Sequence, residues 1–199
     1  RGCTGLGAGT AMIERIITAD VCVAEGAVWL AQHDHRFASA LAQTGPLPLR
    51  LKPDGFTALL DAIVGQQVSV AAARAIWGRV VDAGFSDPDN VERSSDEDLR
   101  ACGLSRPKML YARALAAARI DYPALRTMPS DQVVSTLISV PGIGPWSAEI
   151  YAMFSLGRAD VFAPGDLALQ EAARVLFALD ARPNEKQQQQ TTTTISHTA

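Results

Sequence analysis

Apolar residues recur with a helical period along most of the chain. The clearest run, over 56–64, places Phe56, Leu59, Leu60 and Ile63 on one face, which is the three- and four-residue spacing of a half-buried helix. The same spacing predicts further helices over 20–31, 36–43, 68–81, 96–102, 108–119 and 167–179, with a loop over 87–95. No segment shows the sustained two-residue alternation of a strand ladder. The pattern therefore predicts an all-α fold.

A turn rich in Gly and Pro joins two more helical segments near the middle of the C-terminal half. The first begins at Ser130, a suitable N-cap, and Pro141 stops it. Gly142 and Gly144 are expected to adopt backbone conformations closed to residues with a Cβ, and Pro145 suits the start of the next helix. The N–H groups at that helix N-terminus suit a phosphate oxygen. Such turns are also common as plain connections, so the spacing alone leaves both interpretations open.

Composition narrows the class of protein. The chain has 199 residues, 48% hydrophobic and 20% charged, as in ordinary globular domains. The net charge of −3 argues against a surface that is basic all over. It leaves room for a local basic footprint at Arg106 and Lys108, continued by Arg113 and Arg119 on the following helix, although a solvated helix face explains these residues equally well.

Cysteine usage and hydropathy indicate a compartment. The cysteines Cys3, Cys22 and Cys102 are widely spaced and odd in number, which fits neither a disulfide framework nor a metal cluster. We therefore expect a reducing cytoplasm. No apolar run approaches the length that spans a bilayer, so no membrane partner is expected.

The two ends of the sequence differ from the rest. Residues 1–11 are Gly-rich and precede Met12, which suggests an upstream or non-native leader. From Asn184 the chain continues with four Gln, four Thr and a polar end. This low-complexity composition predicts a disordered tail over 184–199. The predicted domain therefore covers 12–183, with a helical hairpin over 137–154.

Three separated motifs together resemble a known family. The hairpin, the later segment 160–166 (Asp-Val-Phe-Ala-Pro-Gly-Asp) and the upstream Gly65-Gln66-Gln67-Val68-Ser69 resemble the helix-hairpin-helix (HhH-GPD) DNA glycosylase superfamily. Trp146 and the upstream motif resemble its 3-methyladenine DNA glycosylase II branch. The resemblance covers about 53–179. It implies two helical lobes with the active site in the cleft between them. We expect no N-terminal β domain of the kind that some relatives have, and the polar end predicts that the family's terminal helix is absent.

The resemblance assigns the chemistry to Asp166. Breaking a glycosidic bond develops positive charge on the sugar, which a nearby carboxylate stabilises. By position alone the same residue is a good N-cap for the helix after it, and the two roles are compatible. Trp146 stands where strand-cleaving relatives carry a lysine, so it implies a pocket wall and no Schiff-base chemistry. Tyr151 and Phe162 are further candidates for the pocket wall, although a place in the core is the default for aromatic residues at helical spacing.

The resemblance also assigns residues to DNA. It implies that Gln67 fills the gap left by an extruded nucleotide and that Gln66, Ser69, Arg106 and Lys108 face the duplex. Main-chain N–H groups of Gly142, Ile143 and Gly144 would grip a phosphate. Carbonyl groups of Val140 and Ile143 are candidates for a structural, non-catalytic cation. No cofactor is expected.

The sequence thus predicts a monomeric, monofunctional DNA N-glycosylase that removes alkylated purines such as 3-methyladenine and 7-methylguanine from double-stranded DNA and leaves an abasic site. A glycosylase for uracil, hypoxanthine or etheno adducts is the nearest alternative. A non-catalytic HhH binding module, or an inactive truncated copy, is the alternative from another class.

Overall fold

The computed structural model describes residues 14–190, and its secondary structure is helical. The helices are α1 (Asp20–His33), α2 (His35–Thr44), α3 (Phe56–Gly65), α4 (Val70–Asp82), α5 (Pro88–Arg93), α6 (Asp96–Ala101), α7 (Arg106–Ala117), α8 (Tyr122–Leu125), α9 (Ser130–Ile138), α10 (Pro145–Phe154), α11 (Leu167–Leu176) and α12 (185–190). Within the described residues the β structure is a single bridge between Ile16 and Arg158. The predicted all-α class is confirmed.

Two short helices lie where the hydrophobic period gave no signal. Helix α5 occupies the predicted loop at 87–95: the side chain of Asp87 accepts a hydrogen bond from the Asp89 N–H, and Pro88 fills the first turn. Helix α8 is capped in the same way by Asp121. Both helices begin with a cap and a proline, a local signal that needs no apolar stripe.

The hydrophobic core lies within α3–α10. Its fully buried side chains include Leu59, Ile63, Leu99, Leu115 and Leu137, so α3, α6, α7 and α9 all contribute to one interior. Helix α3 packs against α4 and α7, and α9 packs against α10. This body carries the hairpin and the upstream Gln-Gln motif.

Helices α1, α2 and α11 form a second, thinner layer. Neither α1 nor α2 has a buried residue, and Val21, Val28 and Trp29 of α1 are exposed. Helix α2 contacts α11, where the rings of Phe37 and Phe177 meet edge to face at 6.2 Å. Asp166, at the start of α11, therefore lies where this layer joins the main body.

The entry to α9 differs from the prediction. Its N-cap is Pro129, and Ser130 lies in the first turn without capping it. The Ser130 hydroxyl and N–H instead donate to the carboxylate of Glu14, at 2.5 and 3.0 Å. Glu14 also pairs with Arg158 at 2.8 Å, and Arg158 is buried with its Nη2 donating to three carbonyls, of Leu125, Arg126 and Met128. Long-range pairing has replaced the local cap.

The predicted disorder from residue 184 is wrong for the part of the tail that the structure describes. Asn184 caps α12 by exchanging hydrogen bonds with Gln187, each 3.0 Å long, which is a capping box that composition alone does not reveal. Gln188 is buried, and its Nε2 donates to the Leu169 carbonyl. The rest of the tail, 191–199, and the predicted leader over 1–11 lie outside the described residues.

The described helices are also too short or too polar to cross a membrane.

Candidate active site

The hairpin turn depends on one glycine rather than two. Gly142 has a φ of +94°, and a Cβ there would lie 2.3 Å from Cγ of Tyr111. Gly144 has a φ of −89°, and a Cβ there would meet nothing within 4 Å. The prediction that both positions are closed to other residues is therefore wrong for Gly144. Its open surroundings leave the start of α10 accessible from solvent.

The turn contains the two carbonyls predicted to hold a cation, those of Val140 and Ile143. The Ile143 N–H donates to the Val140 carbonyl at 3.1 Å, and both side chains are buried. A carbonyl oxygen has a second lone pair, so these groups fit a hard cation that prefers oxygen ligands. A structural cation there stays a prediction. In residues 14–190 the acidic, His and Cys side chains form no cluster of three that suits a metal ion.

Asp166 is both the N-cap of α11 and the partner of Trp146. Its Oδ1 accepts from the N–H groups of Ala168 and Leu169, each at 2.9 Å. Its Oδ2 accepts from the indole Nε1 of Trp146, also at 2.9 Å. The carboxylate is held in one orientation, with the remaining lone pairs of Oδ2 not used by these contacts.

These hydrogen bonds keep Asp166 ionised. Partial burial alone raises the pKa of Asp166, but the donors from Leu169, Trp146 and Ala168 outweigh it, so the pKa lies below its usual value of 3.8. At neutral pH the group is therefore a carboxylate and accepts hydrogen bonds only. A carboxylate is the form that stabilises developing positive charge.

Trp146 is half-exposed, with 47% of its surface accessible. Because its Nε1 edge is fixed by Asp166, the ring has a defined orientation and can offer a flat face for stacking. An indole has no amine that could attack a sugar carbon. The site therefore pairs a carboxylate with an aromatic platform.

A cavity of about 340 Å³ lies along α10 and begins at Ser147, the residue after Trp146, although neither Trp146 nor Asp166 lines it. It is lined by α3, α4, α10 and the segment before α3: Lys52, Pro53, Thr57, Ala58, Leu59, Asp61, Ala62, Trp77, Ser147, Ile150, Tyr151 and Ser155. Tyr151 belongs to the hydrophobic core and also lies in the wall of this cavity, with its hydroxyl accepting from the Gly55 N–H at 2.8 Å, while burial raises its pKa to about 12. Its place in a substrate pocket stays a prediction. Phe162 does not line it. Phe162 lines a separate hollow with residues of α9.

The Gln-Gln motif forms an exposed, strained corner after α3. Gln67 has a φ of +57° and is exposed, a conformation that costs free energy in a residue with a Cβ. Ser69 ends the corner as the N-cap of α4, accepting from the Ala72 N–H at 3.2 Å. The corner therefore presents Gln67 outward, as expected of a side chain that fills a gap.

The corner is braced from two sides. Gln66 Nε2 donates to the Gly142 carbonyl at 3.0 Å, which ties the corner to the hairpin turn. Lys108 is buried, and its Nζ donates to the Val64 carbonyl at 2.7 Å. The prediction that Lys108 contacts DNA is wrong, because this bond places the ammonium inside the main body. Burial lowers the pKa of Lys108.

The predicted basic footprint is smaller than its sequence suggested. Arg119 pairs with Asp89 and Glu92, and Arg113 donates to the Val91 and Ser94 carbonyls. Arg106 is exposed and, among the described residues, has no ion pair or side-chain hydrogen bond. It is therefore the residue of this group that remains available for DNA.

Comparison with known families agrees with this geometry. The model of the HhH-GPD superfamily, base excision DNA repair proteins, matches residues 60–196, more than half of the chain. The chain belongs to the HhH-GPD superfamily. The match passes residue 183, where the sequence predicted that the domain ends.

Several HhH-GPD relatives are named for one activity. The alkylbase DNA glycosidase-like protein mag2 of Schizosaccharomyces pombe is 25% identical over 170 residues, which are 79% of this chain and 80% of mag2. The crystal structure of a DNA-3-methyladenine glycosidase from Bacillus halodurans has a TM-score of 0.75 and 31% identity, covering 92% of this chain and 85% of that one. The 3-methyladenine DNA glycosylase Mag1 of S. pombe, solved with abasic DNA, has a TM-score of 0.70 and 25% identity, covering 81% and 84%.

The predicted HhH-GPD membership and 3-methyladenine branch are thus confirmed. The roles of individual residues stay predictions, now with a defined geometry. The sequence did not indicate that Asp61, Trp77 and Ile150 line the 340 Å³ cavity along α10. Ile150 could have been found, because it lies four residues after Trp146 and therefore on the same helix face.

Proposed function

We propose that this protein is a monofunctional DNA N-glycosylase that flips alkylated purines out of double-stranded DNA, hydrolyses their glycosidic bond and leaves an abasic site. The observation that carries the proposal is the fixed Asp166 carboxylate, bound through Oδ2 to the indole of Trp146 at 2.9 Å beside the hairpin. The names of the relatives, which are 3-methyladenine or alkylbase glycosylases, support the substrate class.

Binding begins at the hairpin. The start of α10 offers main-chain N–H groups at a positive helix end, and the open space at Gly144 lets a phosphate approach closely. Arg106 adds one exposed positive charge. Gln67, held outward, enters the duplex and occupies the space of the extruded nucleotide, which lowers the free energy cost of flipping.

Chemistry takes place at Asp166. An alkylated purine stacked on Trp146 is a good leaving group, and its departure moves positive charge onto the sugar. The ionised Asp166 stabilises that charge, and Oδ2 can accept a hydrogen bond from the water that attacks C1′. Asp166 thus makes its strongest interaction in the transition state, as catalysis requires.

Replacing Asp166 by Asn tests this assignment. Asn is an equally good N-cap, so Asp166→Asn should remain folded. Release of 3-methyladenine and 7-methylguanine from methylated DNA should fall by roughly a hundredfold or more, while affinity for the DNA is retained. Asp82→Asn, at the exposed end of α4, is the matched control. Near-normal base release by Asp166→Asn would remove the carboxylate from the mechanism. Binding without any release by the unmodified protein would favour a non-catalytic module.

The absence of a side-chain amine at position 146 gives a second test. We expect borohydride to trap no protein–DNA adduct during the reaction, and the product strand to break only after alkali or heat. Trp146→Lys is the informative comparison, because it restores an amine at the site. A trapped adduct with the unmodified protein would show that another amine acts as nucleophile.

We further propose that the protein acts as a monomer in the cytoplasm. The described cysteines, Cys22 and Cys102, are free thiols, as expected in a reducing compartment. Sedimentation of the protein alone and with a short damaged duplex would test the monomer.

A further inference from the structure

The cavity along α10 is the candidate place for a flipped base. Two residues of α10 connect the cavity to Trp146. Ser147 directly follows Trp146 in the chain, and Ile150 lies one helical turn after Trp146 on the same face of the helix. One turn advances about 5.4 Å, comparable to the length of a purine from its glycosidic nitrogen to its far edge. A base whose sugar is at Asp166 and whose ring lies along α10 would therefore reach the cavity.

The lining of the cavity has one acidic group. Ala58, Asp61 and Ala62 face it from α3, while Trp77 and Ile150 supply apolar walls. Among the described residues the Asp61 carboxylate takes part in no side-chain hydrogen bond or ion pair. Asp61 is exposed at the rim of the cavity, where the neighbouring atoms still displace enough water to raise the pKa of Asp61 against the opposing charge of Lys52.

We propose that Asp61 is a specificity-determining residue that selects purines made cationic by alkylation. The proposal rests on the proposed glycosylase function. Methylation at N3 or N7 leaves a purine nucleoside with a full positive charge, whereas undamaged bases are neutral. A carboxylate in the cavity lowers the free energy of the flipped cation relative to that of a flipped normal base. It can also accept a hydrogen bond from the amino group of the base.

Asp61 acts on binding rather than on bond cleavage. As the glycosidic bond breaks, positive charge leaves the base and moves to the sugar beside Asp166. The attraction of Asp61 for the base is therefore strongest before the reaction and declines in the transition state. The two carboxylates have separate effects: Asp61 determines which nucleotide is retained, and Asp166 determines how fast it reacts.

Single-turnover kinetics distinguish these effects. Release of 7-methylguanine is measured at increasing protein concentration, which gives a half-saturating concentration and a maximal rate. Asp61→Asn keeps the size and hydrogen-bonding capacity of the side chain and removes the charge. We expect its half-saturating concentration to rise about threefold to tenfold, with a maximal rate that is unchanged or slightly higher.

Two comparisons make the result specific. Affinity for a duplex with an abasic-site analogue, which has no base to enter the cavity, should not weaken in Asp61→Asn. Lys52→Gln removes the opposing charge at the same cavity and should lower the half-saturating concentration. Removing a negative charge generally strengthens DNA binding. If Asp61→Asn binds the 7-methylguanine duplex more weakly but the abasic-site duplex no more weakly, the change is therefore opposite to a non-specific electrostatic effect.

A filled cavity tests the location independently of charge. Ala62→Phe adds a ring on the open face of α3 and should abolish base release while affinity for abasic-site DNA is retained. Unchanged release by Ala62→Phe, or an unchanged half-saturating concentration in Asp61→Asn, would overturn the inference. If the unmodified protein released no base from methylated DNA, the proposed function itself would fail.

Discussion

At the scale of single residues, several side chains have roles that their type did not suggest. Lys108 is a charged residue inside the main body, where its Nζ donates to the carbonyl of Val64 at the end of α3. The sequence held a signal for this: Lys108, Ala112 and Leu115 share the buried stripe of α7. Gln66 likewise ties two motifs together. Both side chains donate to main-chain carbonyls of neighbouring segments and so support the groups beside them.

The two hairpin glycines should respond differently to alanine. Gly142→Ala places a Cβ against Tyr111 and demands a positive φ, so thermal stability and DNA affinity should both fall, with a loss of stability on the order of 1–3 kcal/mol. Gly144→Ala meets open space in the free protein and should melt normally while binding DNA more weakly. Melting curves and fluorescence anisotropy with a short duplex check both outcomes. Normal DNA affinity in Gly144→Ala would show that the hairpin does not bind a DNA phosphate.

The Glu14–Arg158 pair should make stability depend on pH. Donation from the Ser130 hydroxyl, then from its N–H, with Arg158 nearby, holds the pKa of Glu14 below its usual value of 4.5. A depressed folded-state pKa contributes stability that is fully present above about pH 4.5 and is lost as the pH falls through the lower folded value. Glu14→Gln should therefore lower the free energy of unfolding by about 1–2 kcal/mol at pH 7 and by less at pH 3.

Urea unfolding at the two pH values measures this difference. Glu97→Gln, at the exposed first turn of α6, is the matched control. An equal loss at pH 7 and pH 3 for Glu14→Gln would show that the charge of Glu14 is not what matters.

At the scale of elements, the sequence predicts those helices that have a periodic apolar stripe or a clear cap. Helices α1–α4, α6, α7 and α9–α11 were predicted close to their observed bounds, because each has an apolar stripe or a clear cap. Helix α5 was missed because capping by Asp87, rather than a stripe, starts it. The cavity could not be predicted, since Asp61, Trp77 and Ile150 come together only through the packing of three helices. The resemblance assigns Trp146 and Asp166 separate roles, whereas the hydrogen bond between them depends on tertiary packing that the sequence does not reveal.

Helix α12 is the element for which the low-complexity composition gave a wrong prediction, namely disorder. Its Gln188 packs against the first turn of α11, and a Cβ on Gly165 would lie 3.0 Å from Glu185. This part of the glutamine run therefore supports the loop that carries Asp166. A polar sequence can pack when its amides find backbone partners.

Trimming the chain tests that support. Ending it after Pro183 removes α12 and should lower the melting temperature by roughly 3 °C or more, with a matching loss of base release. Ending it after Gln190 retains α12 and is the control, in which both quantities should stay near those of the full chain. Equal melting temperatures for the two truncations would show that α12 contributes nothing.

At the scale of the whole molecule, the chain consists of a thick body and a thin layer. The body of α3–α10 has one continuous core and carries the hairpin, the Gln67 corner and most of the cavity. The layer of α1, α2 and α11 has few buried side chains and carries Asp166. Because the net charge is −3, attraction to DNA must come from local groups on the body rather than from overall charge. In the proposed function, recognition and chemistry therefore lie on different parts of the fold.

The hydrogen bond between Trp146 and Asp166 constrains how such a protein could change over generations. In the proposed function, Trp146 is the position at which a new side chain would most directly reshape the surface that receives a base. A replacement without an N–H removes one of the three donors to Asp166, so the carboxylate becomes less acidic and less firmly oriented. A substitution at position 146 that lets the protein accept more kinds of damaged base would therefore also slow the reaction at Asp166. Variation in lesion range should instead accumulate at cavity positions that do not touch Asp166.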